Sequence, residues 1–117
     1  MANCDEGYAC DRCGEYVENV EVSELYLRYV LGAVAMSELP REPERHLRCA
    51  PEFAQFIVDP EFEAVVCDDP TLDKRNLPDE VVERQEAVFT RAWRRLREVR
   101  ALGLPVDEYP LTATDFA

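Results

Sequence analysis

The chain is poor in basic residues and has almost no lysine. Against 25 aspartates and glutamates it carries 13 lysines and arginines, of which only Lys74 is a lysine, so its formal net charge is −12. Nucleic acids and anionic membranes are both bound through basic protein faces. The charge balance therefore disfavours a general nucleic-acid binder and a protein that docks on anionic membranes, and it predicts a soluble, self-repelling surface.

The chain also lacks a long apolar run. Its longest, Tyr29 to Met36, is far shorter than the roughly 20 residues that span a bilayer. Residues 1–6 have neither the basic nor the apolar part of a secretory signal, which predicts a cytoplasmic protein with no membrane segment. In that compartment five cysteines indicate metal or redox chemistry rather than a disulfide framework, and an odd number cannot pair completely.

Glycine and histidine are scarce. Four glycines are scattered singly, so the sequence has no glycine-rich phosphate loop. The single histidine, His46, is not free for a Ser–His–Asp set if it binds a metal. Glu52 could in principle act as a base, but a carboxylate at a helix start is more simply explained by the helix dipole. The sequence thus predicts a protein that is not an enzyme.

Two pairs of metal-binding residue types stand out against this background. Cys10 and Cys13 lie in Cys-Asp-Arg-Cys-Gly, and His46 and Cys49 lie in His-Leu-Arg-Cys. Four such ligands complete the tetrahedral shell that zinc prefers in structural sites. Gly14 permits the tight turn that lets the first pair share one metal. We therefore predict Zn²⁺ bound by Cys10, Cys13, His46 and Cys49.

A cysteine knuckle followed by a second ligand pair at a helix start resembles the treble-clef and zinc-ribbon class of zinc-binding proteins. The resemblance covers Cys10, Cys13, His46, Cys49 and their immediate context. It implies that the four residues hold zinc in a structural role.

Two other cysteines leave alternatives open. Cys4 could replace His46 as a ligand, and Cys4, Cys10, Cys13 and Cys49 together could hold an iron–sulfur cluster, although their spacings match no common cluster pattern. Cys10 and Cys13 could instead form a redox pair, but no strand precedes them as in the usual redox motif. Cys67 ends an apolar run and is interpreted as a buried core thiol.

Patterns along the chain predict short elements followed by one long helix. Residues 16–22 and 61–67 are predicted as strands, 24–31 as an apolar core helix that could run on to 38, and about 51–58 as a short helix opened by Pro51. The clearest helix is 79–102, with acids first, arginines last, an apolar stripe and Gly103 as its stop. The stripe comprises Val82, Phe89, Ala92, Trp93, Leu96 and Val99.

These elements predict one α+β domain, small and zinc-stabilised, with a zinc knuckle, short strands and a long C-terminal helix. Its parts are a zinc-binding half (1–58), a short strand and acidic loop (59–78), the helix (79–102) and an extended tail (103–117) that packs through Leu104, Val106, Tyr109 and Leu111.

The leading function prediction is a non-enzymatic zinc-binding protein with a protein-interaction or regulatory role, acting with a protein partner or as a homo-oligomer. The alternatives are a thiol redox protein that uses Cys10 and Cys13, and a nucleic-acid-binding protein that uses the arginine-rich last helix. Dipole complementation and pairing with the chain's own acids explain the arginines more simply. The arginines concerned are Arg91, Arg94, Arg95 and Arg97.

Overall fold

The computed structural model describes residues 8–111. Two short antiparallel strands, β1 (Tyr8–Ala9) and β2 (Tyr16–Val17), form a hairpin in which Tyr8 pairs with Val17 and Ala9 with Tyr16. Three α-helices follow, α1 (Glu24–Val30), α2 (Pro51–Ala54) and α3 (Asp79–Leu102). Short 3₁₀ turns connect them at Val20–Val22, Met36–Glu38, Leu47–Cys49, Lys74–Asn76 and Val106–Glu108. Within the described part of the chain, no helix is both long and apolar enough to cross a membrane.

Helix α3 has the bounds predicted for it. Its apolar stripe turns inward, so that Ala92, Trp93, Leu96 and Val99 are buried. Gly103 follows with a φ of +64°, a left-handed conformation that glycine adopts without a steric penalty. The amide of Leu104 then bonds the carbonyl of Val99, which closes the helix end. Helix α1 and the 3₁₀ turn Val20–Val22 pack against this long helix.

Helix α1 packs on α3 and is buried, as predicted for a core helix. Leu27 and Val30 join Trp93 and Leu96 in the main apolar cluster. The hydroxyl of Ser23 caps the helix by accepting the amide of Tyr26. The extension to residue 38 is wrong: the helix ends at Val30 and Gly32 turns the chain away with a φ of +83°.

Three predictions in the connecting segments are corrected. Residues 61–67 form no strand, because within residues 8–111 no strand lies alongside them and Phe62 instead packs its ring edge-on against Trp93, 5.1 Å between centroids. The strand predicted for 16–22 stops at Val17, since the side chain of Asn19 accepts the amide of Glu21 and starts a 3₁₀ turn. Helix α2 ends at Ala54 rather than Val58.

The tail packs as predicted at two of its positions. Tyr109 and Leu111 lie against the main apolar cluster, and the amide of Leu111 bonds the carbonyl of Val30. Val106, by contrast, is 38% exposed and belongs to a 3₁₀ turn rather than to extended chain. Residues 112–117 of the predicted tail lie outside the described residues. Cys67 is buried, as predicted for a core thiol.

An ion pair ties the turn after α2 to α3 and predicts a pH effect. The amide of Glu61 and the guanidinium of Arg94, 2.6 Å from the carboxylate, lower the pKa of Asp59 below its usual value of 3.8. A lowered folded-state pKa adds stability above the usual value, and this stability is lost as the pH falls through the folded-state pKa. We expect Asp59→Asn to melt at a lower temperature than wild type near pH 7, with the difference shrinking toward about pH 3. A difference that stayed constant across that range in thermal unfolding would contradict this assignment.

Candidate metal centre

The four predicted ligand residues converge in the folded chain. One donor atom from each of Cys10, Cys13, His46 and Cys49 lies within 4.8 Å of all the others. The Nδ1 atom of His46 is 3.3 Å from the Cys13 sulfur and 3.9 Å from the Cys49 sulfur. A tetrahedral zinc with bonds of about 2.3 Å to sulfur and about 2.0 Å to nitrogen needs donor–donor edges of roughly 3.6–3.8 Å. The four donor atoms are therefore close to the spacing of a tetrahedral metal shell.

The first ligand pair lies in the turn between β1 and β2. The amide of Gly14 bonds the carbonyl of Cys10 at 2.9 Å, and the amide of Cys10 bonds the carbonyl of Glu15 at 2.7 Å. Gly14 has a φ of +82°, which other residues adopt only with strain, and this conformation closes the turn. The hairpin thus brings two thiols to one side of the loop.

The second pair is held by the start of α1. His46 forms an isolated antiparallel bridge with Ser23, and the amide of Glu24 bonds the carbonyl of Arg45 at 2.8 Å. Cys49 follows in the 3₁₀ turn Leu47–Cys49, directly before α2. The apolar helix between the two ligand pairs therefore has a role in the site, because its first residues fix the position of His46.

The imidazole of His46 is oriented for metal binding through one nitrogen. Its Nε2 atom lies 2.8 Å from the carbonyl oxygen of Tyr16, and an oxygen of Glu18 lies 3.2 Å away. A guanidinium nitrogen of Arg48 also lies 3.3 Å from Nε2, but the carbonyl oxygen of Tyr16 is closer and can only accept, so we assign the proton to Nε2. The lone pair of Nδ1 then points at the sulfurs of Cys13 and Cys49. A protein acceptor on the far nitrogen is the usual support of a histidine that binds a metal.

The thiols differ in their tendency to ionise. Burial would raise the pKa of Cys10, but amide groups of His46, Cys13 and Arg12 outweigh it and lower this pKa to about 6. Burial, together with the thiols of Cys13 and Cys10, raises the pKa of Cys49 to about 11. For His46, burial lowers the pKa, yet its hydrogen bonds with Cys10, Tyr16 and Glu18 raise it overall. Three sulfurs this close together cannot all ionise without a cation, and a divalent metal supplies that charge.

Ion pairs join the loop of the first pair to the segment of the second. Arg45 binds Asp11 at 2.6 Å, and Arg12 binds Glu52 at 3.0 Å while it also bonds the carbonyl of Cys49 at 2.6 Å. The Arg12 guanidinium lowers the pKa of Glu52. Glu52, which the sequence suggested as a possible base, is thus held in an ion pair with Arg12.

Sequence reasoning missed two buried acids behind the site. Glu24 and Glu44 are 1% and 6% exposed. Glu24 pairs with Arg28, and Glu44 accepts the hydroxyl of Ser23 at 2.7 Å. Burial raises the pKa of Glu44, although this hydrogen bond opposes the shift. Glu44 lies in a polar stretch and Glu24 lies in the first turn of α1, where acids complement the helix dipole, so the sequence alone marks neither as buried.

The arginines of α3 make contacts within the chain. Arg94 binds Asp59, and Arg100 binds Glu21 at 2.6 Å. Arg97 also lies near Glu21, and its guanidinium is 5.1 Å from the centre of the Trp93 ring. Arg95 bonds Glu98 and the carbonyls of Glu108 and Tyr109. Trp93 itself is in the core, as predicted.

Cys4, the alternative ligand, lies outside the described residues. No family model, curated protein or solved structure matches this chain. The site itself offers three sulfurs and one imidazole nitrogen, a donor set of the kind that structural zinc sites use.

Proposed function

We propose that this protein binds one Zn²⁺ through Cys10, Cys13, His46 and Cys49, and that the metal holds the N-terminal half in its fold. The observation that carries the proposal is the convergence of four donor atoms within 4.8 Å from two segments far apart in the chain. The zinc would be bound by a knuckle and by a second pair before a helix, in the manner of a treble clef. The two pairs lie 33 residues apart, so one metal bound by both would tie the hairpin to the segment before α2.

The donor set supports a structural rather than a catalytic zinc. Catalytic zinc sites commonly use three protein ligands and keep one position for water or substrate. Here four protein donors are within reach of one ion, and His46 is fully buried. Glu52, the carboxylate considered as a base, is paired with Arg12. The proposed role is therefore that of a non-enzymatic interaction or regulatory protein, which binds a protein partner or a second copy of itself.

Metal content measured by native mass spectrometry tests this proposal. We expect one zinc per chain in wild type, none in Cys10→Ser and His46→Ala, and one in Cys67→Ser. Cys67 is a matched control because, like Cys10, it is a buried cysteine, but it lies outside the cluster. Retention of zinc by Cys4→Ser would exclude the alternative ligand set.

A different pattern of metal content would overturn the proposal. If zinc-supplied, reduced wild-type protein carried no metal, the cysteines would have to be tested as a thiol redox pair. If iron and inorganic sulfide were found and were lost in Cys4→Ser, the site would be an iron–sulfur centre.

A further inference from the structure

Described residues from the start of α1, from positions 36–44 and from positions 106–109 line a half-open cavity of about 410 Å³. Its walls are mostly apolar and include Val20, Leu25, Leu39 and Pro40. The volume and the apolar lining are those of a small-molecule pocket, in which a few polar groups decide what binds. None of the four proposed zinc ligands lines it.

One charged residue is part of this wall, and it is an acid. Glu44 lines the cavity and is 6% exposed, with one carboxylate oxygen accepting the hydroxyl of Ser23. No lysine or arginine is among the described residues that line the cavity. A ligand that brings a positive charge would therefore meet its counter-charge in a mostly apolar setting, where water screens the attraction least.

Aromatic rings form another part of the wall. Tyr26 and Tyr109 line the cavity, and their ring centroids are 5.9 Å apart. Tyr29 contacts both rings and completes a cluster of three tyrosines. The faces of tyrosine rings attract cations, and sets of such rings are used by proteins to recognise ammonium groups.

The rim favours the same kind of ligand. Met36 and Val106 line the opening and are 50% and 38% exposed, which leaves apolar surface for the body of a ligand. Asp107 and Glu108, next to Val106 in its 3₁₀ turn, are exposed acids. Exposed acids beside a residue that lines the cavity raise the local concentration of cations.

From the buried acid, the tyrosines and the apolar walls we infer that this cavity binds an organic ammonium ion with an apolar body, such as an alkyl or aryl amine. Its ammonium group lies at Glu44 and the tyrosine rings, and its hydrocarbon body lies against Leu25 and Leu39. This cavity is distinct from the proposed zinc site, although both lie in the N-terminal half of the chain.

Titration of the full chain with two matched probes tests the inference. Phenylbutylamine and the uncharged phenylbutanol have similar size and shape, and backbone amide shifts in NMR locate where each binds. We expect the amine to bind at millimolar concentration or below, with shifts at Leu25, Leu39 and Glu44, and about tenfold more tightly than the alcohol, since hydrogen bonds to charged groups add roughly that factor.

Three variants separate the contributions. Glu44→Gln keeps an oxygen that can accept the hydroxyl of Ser23, and it should make the affinities for the amine and the alcohol equal. Glu63 is an exposed acid at a different cavity, so Glu63→Gln should leave the tenfold preference for the amine unchanged. Leu39→Trp fills the cavity and should abolish binding of both probes, which tests the location if Glu44→Gln does not fold.

Equal binding of amine and alcohol by wild type, shifts that map elsewhere, or no binding at millimolar amine would each overturn the inference.

Discussion

Replacing Cys10 by serine is expected to unfold the N-terminal half of the protein, and removing zinc from wild type with a strong chelator should have the same result. Structural zinc supplies an apparent binding free energy of about 10–16 kcal/mol in small zinc domains, whereas a whole domain is stable by only about 5–15 kcal/mol. Loss of one thiolate ligand therefore removes a free energy comparable with the total. The measurement is amide NMR and urea unfolding, with and without chelator.

The matched replacement is Cys67→Ser, which exchanges the same atoms at a site of similar burial. It should cost only the roughly 1–3 kcal/mol of a buried polar substitution, and its stability should still fall on chelation. If Cys10→Ser and Cys67→Ser unfolded at the same urea concentration, and neither they nor wild type responded to chelator, the metal would have no part in the fold.

Trp93→Ala is expected to produce the other large effect, a loss of about 3–5 kcal/mol in the free energy of unfolding. The indole is 4% exposed and packs against Phe62, and its N–H donates to the carbonyl of Glu21 at 3.1 Å. Truncation leaves a cavity between α3 and the segments that contain Glu21 and Phe62. It also leaves the carbonyl of Glu21 without its hydrogen-bond donor. Urea unfolding followed by far-UV circular dichroism measures the change.

A position on the same helix provides the comparison. Leu102 is 67% exposed, so Leu102→Ala should change stability by no more than about 0.5 kcal/mol, apart from a small effect on the helix end. Equal changes in the two variants would mean that packing of the indole contributes little to the stability of the protein.

The sequence predicts best where the signal is local and repeated. Helix α3 has six apolar positions in register and a glycine at its end, and its predicted and observed bounds agree. The four predicted ligand residues also follow from local patterns, because two residues separate the members of each pair, Cys10 from Cys13 and His46 from Cys49. That these four residues bind a metal, and that the metal is zinc, are proposals that metal analysis has to test.

The failures are at segments whose structure depends on distant partners. Residues 61–67 have the composition of a strand, but a strand needs a neighbour, and no such neighbour lies alongside within residues 8–111. Helix α2 was predicted too long because the side chain of Gln55 bonds the amide of Lys74 and the carbonyl of Leu72, which draws the chain into a loop. The burial of Glu24 and Glu44 likewise results from tertiary packing, which no pattern in the sequence announces.

The single lysine has a consequence for proteolysis. A protease specific for lysine has one site in this sequence, after Lys74, and one cut separates residues 1–74, with all four proposed ligands, from residues 75–117, with α3. In the folded chain the ammonium group of Lys74 donates to the carbonyl of Gln55 and to Glu86, both at 2.8 Å. The loop must therefore open before the enzyme can bind it, and the rate of this one cleavage reports how often this loop opens.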